Sequence, residues 1–251
     1  MIQGIFKILI WILIAGWFVV IIGFVSNEAD KVLCNRIEVV LSDTVQNRFV
    51  TKSDIRSMLE STDLHLQGYS MAEINIRTLE RELEQNPYIR NAEVSKDISG
   101  KLEVKVEQRR PLIRIMPKGK RGFYLDTEGI ILPLSERFTP LIMLATGQIP
   151  EPGSTGETGK TLEEIFRFSS FLADHEFWDD QVVQIYVNRN GEYELIPRVG
   201  AHHIILGNMD QWQKKLRNLE LLYRQGFSRY GWNTYGTINL KYTNQVICTK
   251  R

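Results

Sequence analysis

Eighteen consecutive residues, Ile8 to Val25 (ILIWILIAGWFVVIIGFV), carry no charged side chain. A helix of that length rises about 27 Å, close to the hydrocarbon thickness of a bilayer. The segment lacks the polar stripe that a helix packed on a globular core turns to solvent. It is longer than the apolar region of a secretory signal. Only Lys7 and the amino terminus precede it as positive charge, and no small-x-small cleavage site follows it cleanly. The reading is an uncleaved anchor: residues 1–7 form a short cytoplasmic tail, 8–25 a transmembrane helix and 26–33 a linker. Lys7 lies before the span, while Glu28 and Asp30 lie after it. The positive-inside rule therefore puts the N-terminus in the cytoplasm and the C-terminus in the periplasm.

This topology bears on Pro152–Thr161, PGSTGETGKT, which looks like a nucleotide-binding loop. Such a loop needs four residues between its first glycine and the Gly-Lys pair, so that the backbone N–H groups curl around the phosphates. Gly153 leaves five before Gly159, and Gly156 leaves two. Pro150 and Pro152 separate the loop from any preceding strand, and ATP is essentially absent outside the membrane. The segment reads as a turn feeding a helix capped by Thr158 or Thr161, and no nucleotide or other cofactor is expected.

Hydrophobic residues at 43% and charged residues at 24% fit a folded exterior portion of the chain. Asn35–Leu41 reads as a short strand. Thr51-Lys52-Ser53-Asp54 matches a capping box ahead of Ile55, Met58 and Leu59 at helical spacing. Asn75 caps a second expected helix, with Ile76, Leu79 and Leu83 on one face, which Pro87 stops. Asn91–Ser95 and Lys101–Glu107 then alternate strictly around an Asp97–Gly100 turn. Ala92, Val94, Leu102, Val104 and Val106 make one apolar face for the two helices to cover. The order β-α-α-β-β forms a compact α+β module over residues 34–110. Residues 111–251 read as a β-rich domain with flanking helices. It has hairpins at Thr127-Glu128-Gly129 and Arg189-Asn190-Gly191, helices around Ile165 and Leu216, and final strands at Thr237–Tyr242 and Val246–Cys248.

Residues 101–121 carry eight Lys and Arg side chains against Glu103 and Glu107. The stretch is read as a solvated strand face followed by a domain junction at Arg110-Pro111, with anionic lipid headgroups or a partner's acidic face as the other reading. Nucleic acid is excluded by compartment. His202 and His203 are adjacent in a strand, so they face opposite sides and do not share a metal. Asp174-His175-Glu176 and Asp179-Asp180 read as a solvated loop. No serine sits in a nucleophile elbow, no Cys-His pair has catalytic spacing, and Cys248 reads as a small apolar strand residue. Nothing in the pattern demands an enzyme, and no catalytic, metal or cofactor residue is assigned.

The plan of tail, span, β-α-α-β-β module and β-rich domain resembles the FtsQ/DivIB family of bacterial cell-division proteins. Asn86–Pro111 (NPYIRNAEVSKDISGKLEVKVEQRRP) resembles the end of the family's POTRA domain. GFYLDTEGIILPL resembles the opening of its β domain, TPLIMLATG its proline-to-glycine segment, and TINLKY its near-terminal strand. Asp97-Ile98-Ser99 stands where Trp-Pro is frequent, and Asn239 stands where an acidic residue is usual.

The resemblance implies a non-enzymatic scaffold of the division septum, a single-pass inner-membrane protein that binds FtsB- and FtsL-like coiled-coil partners and helps control septal peptidoglycan synthesis. Its implied partner site is Lys241, Tyr242, Asn244, Gln245, Val246 and Ile247, on the last strands, with binding by strand addition. Tyr242 is the expected anchor; the other reading packs it on the helix at Trp212. Arg56 and Arg90 are candidates for contacts of the POTRA module with other septal proteins. The alternatives are another POTRA-bearing envelope-assembly accessory and an anchored cell-wall enzyme.

Overall fold

Thr51 and Asp54 cap each other. The Thr51 N–H donates to Asp54 Oδ2 at 2.8 Å, and the Asp54 N–H donates to Thr51 Oγ1 at 3.2 Å. This reciprocal box starts helix α1, Lys52–Ser61, whose Ile55 and Leu59 are buried. The structure, a computed structural model, describes residues 11–18, 20, 32–42, 48–61, 66–153 and 157–251. Helix α2, Ile76–Glu84, begins where Asn75 Oδ1 accepts from the Thr78 N–H at 3.3 Å and buries Leu79 and Leu83. Strands β1 (Arg36–Leu41), β2 (Ile89–Lys96) and β3 (Lys101–Gln108) form a sheet of order β1-β3-β2. β1 runs parallel and β2 antiparallel to β3. Register pairs Ala92 with Val106 and Val94 with Val104. All four are buried, so the alternation seen in sequence is the core face of this sheet. The Asp97–Gly100 turn closes through the Gly100 N–H to the Asp97 carbonyl at 3.1 Å.

Residues 11–18 and 20 are helical, with Trp11, Ile12, Leu13, Trp17, Phe18 and Val20 exposed. The rest of the expected span at 8–25 lies outside the described residues, as do the tail at 1–7 and most of the linker at 26–33. Among the described residues no helix is long and apolar enough to cross a membrane.

The chain divides into two compact units, with the break between Gln108 and Arg109. The second unit holds a nine-stranded mixed sheet of order β12-β11-β10-β9-β8-β7-β4-β5-β6. Its strands are β4 (Pro111–Pro117), β5 (Phe123–Asp126), β6 (Ile131–Pro133), β7 (Met143–Gly147), β8 (Val182–Val187), β9 (Tyr193–Pro197), β10 (His203–Gly207), β11 (Tyr235–Asn239) and β12 (Ile247–Lys250). The basic run holds strand β3, and the break between the units falls beside the expected junction at Arg110-Pro111; beyond it the run contains a further, unexpected strand, β4. Ile113 and Ile115 of β4 are fully buried, and Pro111 is tolerated because the first residue of a strand can forgo its N–H.

Two crossovers cover one face of this sheet. Helix α3, Glu157–Asp174, links parallel β7 and β8. Helix α4, Trp212–Leu221, continues as a π-helical turn Leu222–Gly226 and helix α5, Phe227–Tyr230, and links parallel β10 and β11. Ile165, Phe168 and Leu172 of α3 and Leu216 and Leu219 of α4 pack with Ile185, Leu195, Ile204 and Ile238 of the strands. Thr158 and Thr161 both lie inside α3, so neither is its cap. Lys160 is exposed and pairs with Glu164 one turn on, at 3.7 Å.

Candidate partner-docking edge

β12 is the last strand of the nine-stranded sheet, bonded on one side only, to antiparallel β11. In an antiparallel ladder alternate residues direct N–H and C=O to opposite sides, so half of these groups on β12 point away from β11. The terminal hairpin is fixed from below. Ile238 and Leu240 are buried in the core, and the Leu240 N–H donates to the Ile205 carbonyl at 2.8 Å. Strand β11 ends at Asn239, whose side-chain oxygen accepts from the Lys241 N–H at 2.9 Å and starts the turn. Helix α4 holds this turn from its flank: Asn218 Nδ2 donates to the Thr243 carbonyl at 3.0 Å and Lys214 Nζ to Asn244 Oδ1 at 3.4 Å. Arg251 closes the other end, with Nη2 donating to the Ala201 carbonyl at 2.6 Å.

The six residues expected at the partner site are brought to this one end of the sheet, in differing roles. Lys241 pairs with Glu192 at 2.6 Å. That bond, with a second from Asn188, holds the Glu192 carboxyl below its ordinary range. Tyr242 is 55% exposed; Trp212 packs edge-on against Phe168 and Phe171 instead of receiving it. Asn244 and Gln245 are exposed in the turn, and Val246 packs against the core. Ile247 opens β12 and is 42% exposed. Cys248, Thr249 and Lys250 complete the strand, and the expected site stops short of them. Four residues are too few for a periodic signal, and only Cys248 among them is half-buried. Arg56 and Arg90 belong to the other unit; Arg90 is paired with Glu107 at 2.9 Å.

The remaining sequence candidates are accounted for by packing. His202 is buried and hydrogen-bonds the Tyr223 hydroxyl at 2.7 Å, whereas His203 bonds Glu194 at 2.6 Å. Burial pushes the His202 imidazole below its ordinary value. His175 packs against Phe171, and its Nδ1 accepts from the Phe177 N–H. Among the described residues no three His, Cys, Asp or Glu side chains gather as a metal site would. Cys34 and Cys248 are free thiols, both raised by burial.

Two motifs acquire physical reasons. Asp126 is buried and accepts the N–H groups of Glu128 at 2.9 Å and Ile130 at 2.7 Å, while Arg109 pairs with it at 3.0 Å. The aspartate thus ties the β5–β6 turn to the start of the unit. Gly147 ends β7 with φ of +104°, and a Cβ there would collide with the Val187 carbonyl on β8. A feature invisible in sequence is Lys215, a buried cation on α4. Its Nζ donates to the Leu206 carbonyl at 3.1 Å and to the Asn208 carbonyl and Oδ1 at 2.7 and 3.0 Å. Burial lowers its pKa.

Residues 110–249 match the family described as FtsQ/DivIB, C-terminal related. The chain belongs to that family. Residues 32–107 match the POTRA-like domain, which agrees with the β-α-α-β-β order of the first unit. The chain is 25% identical over 191 residues to the cell division protein FtsQ of Geotalea daltonii, a match covering 73% of this chain and 66% of that protein.

Proposed function

We propose that this chain is a non-enzymatic scaffold of the bacterial division septum, anchored in the inner membrane by residues 8–25. On this reading the POTRA-like and β-rich units stand on the periplasmic side. A membrane partner of the FtsB or FtsL kind adds a strand to the outer edge of β12. The carrying observation is the position of β12 at the end of the sheet, bonded on one side only. An added strand would satisfy its outward backbone groups, and the exposed Tyr242 and Ile247 beside that edge offer apolar side-chain contact. Membership in the FtsQ/DivIB-related family and the likeness to a cell division protein support the cellular role. The exposed apolar side chains along residues 11–18 support the anchor.

The test is photo-crosslinking in dividing cells, with the probe placed singly at each position from Thr237 to Lys250. Adducts to a small coiled-coil membrane protein at alternate positions of Ile247–Lys250, and at Tyr242, are expected. Tyr242→Glu should remove them by placing a charge in a desolvated contact. Adducts with no alternation, or none with the protein expressed and folded, would refute strand addition at this edge.

A further inference from the structure

The three-stranded sheet of the POTRA-like unit has its own free margin at β2, and this margin is not bare. The Ala92 and Val94 N–H groups point away from β3. Val94 donates to Glu80 Oε1 at 2.9 Å and Ala92 to Glu84 Oε1 at 3.3 Å. Both carboxylates come from α2. The fit is geometric. Four residues of helix advance about 6 Å, and two residues of strand advance about 6.8 Å. An i, i+4 pair of glutamates on an antiparallel helix therefore meets successive outward amides one for one. Leu79 and Leu83, each one residue earlier on α2, are buried and fix the rotation that aims the carboxylates at the strand.

We propose that Glu80 and Glu84 are guards that close the β2 edge against pairing with a second copy of this chain. An unguarded β2 is well made for such pairing. A two-fold axis at Ala92 sets Ala92 opposite its own equivalent, Asn91 opposite the other copy's Glu93, and Arg90 opposite its Val94. No like charges face each other across the ladder. The outward groups of β2 would then bond reciprocally and fuse two three-stranded sheets into one of six strands. Charged side chains turned onto an edge are a general means of preventing such fusion. Here they act by occupying the donors themselves.

The experiment measures the mass of the full chain in detergent by light scattering across a concentration series, alongside amide exchange of residues 90–96. Glu80→Ala/Glu84→Ala should associate at least tenfold more tightly than the wild type, with those amides gaining protection as concentration rises. Glu80→Gln/Glu84→Gln keeps a carbonyl oxygen at each site and should behave as the wild type. Cys34 is 1% exposed, so its lack of reaction with a thiol reagent reports a folded first unit. Should the double alanine variant expose it, Glu84→Ala alone carries the test with the same expected sign. A wild-type mass for the alanine variant overturns the proposal. So does equal association of the glutamine variant, which would leave the hydrogen bonds without a role.

Discussion

Replacing Asp126 by Ala removes three bonds at once: the two turn amides of Glu128 and Ile130 and the ion pair with Arg109. The cost is smaller than at a deeply buried site. Asp126 is fully covered, but Glu128 and Ile130 are exposed, so their freed N–H groups can reach water. Arg109 keeps Glu128 at 3.2 Å. Each lost bond then costs no more than an ordinary hydrogen bond, about 1 kcal/mol, below the usual range for a charged acceptor, for a total of about 3 kcal/mol. That is a factor of roughly 150 in the unfolding equilibrium. With a urea m-value of about 2 kcal/mol/M, the midpoint falls by about 1.5 M. Tryptophan fluorescence reads the correct unit, because Trp178, Trp212 and Trp232 lie in the second unit and residues 34–108 contain no tryptophan. Asp126→Asn retains an acceptor oxygen and loses the charge, so its midpoint should fall by less than half as much. A shift below about 0.5 M for Asp126→Ala would refute the assignment of this aspartate as the tie that closes the β5–β6 turn.

His202 has a folded pKa below its ordinary value near 6.5, because it is buried among Tyr223 and Phe227. The unfolded state therefore binds the proton more readily. The second unit keeps full stability above about pH 6.5 and loses it as pH falls toward the folded pKa. His202→Gln should flatten the midpoint-against-pH curve between pH 7 and 5; parallel curves would show that another group controls that range. Lys215→Met leaves the Leu206 and Asn208 carbonyls without their donor and should cost about 2 kcal/mol, partly offset by the removal of a buried cation. An unchanged urea midpoint would mean that those acceptors find other donors.

Local chemistry is legible in the sequence wherever one segment supplies both halves of an interaction. The Thr51–Asp54 box, the Asn75 cap, the Asp97–Gly100 turn and the Asn190-Gly191 hairpin all form between near neighbours. Strand β4 is obscured because Arg114 stands between its buried isoleucines, Arg110 and Lys118 flank it, and prolines stand at both ends. Its burial comes from β5 and β7, which the segment itself does not announce. The alternation of Thr237–Tyr242 makes Asn239 look like a mid-strand residue, but its side chain ends the strand early and turns Lys241 back toward Glu192. The site inferred from the resemblance therefore falls mostly on a turn, with only Ile247 in the edge strand. Lys215, Glu80 and Glu84 cannot be read at all: charged residues on helices look like solvent-facing ones until the helix is docked.

The joint between β10 and β11 sets how the terminal hairpin would bear a pull. β10 and β11 share three paired positions, from His203↔Thr237 to Ile205↔Asn239, whereas β11 and β12 share four. Tension along a strand loads all the bonds of a ladder together, while tension across it opens them one at a time. A partner strand lying along β12 would pull in the first sense, and the shorter β10–β11 ladder would then be the seam to slip. The buried Ile238 and Leu240 and the Arg251 bond to the Ala201 carbonyl span that seam. They act as rivets, letting a short hairpin transmit force to the whole sheet without tearing free.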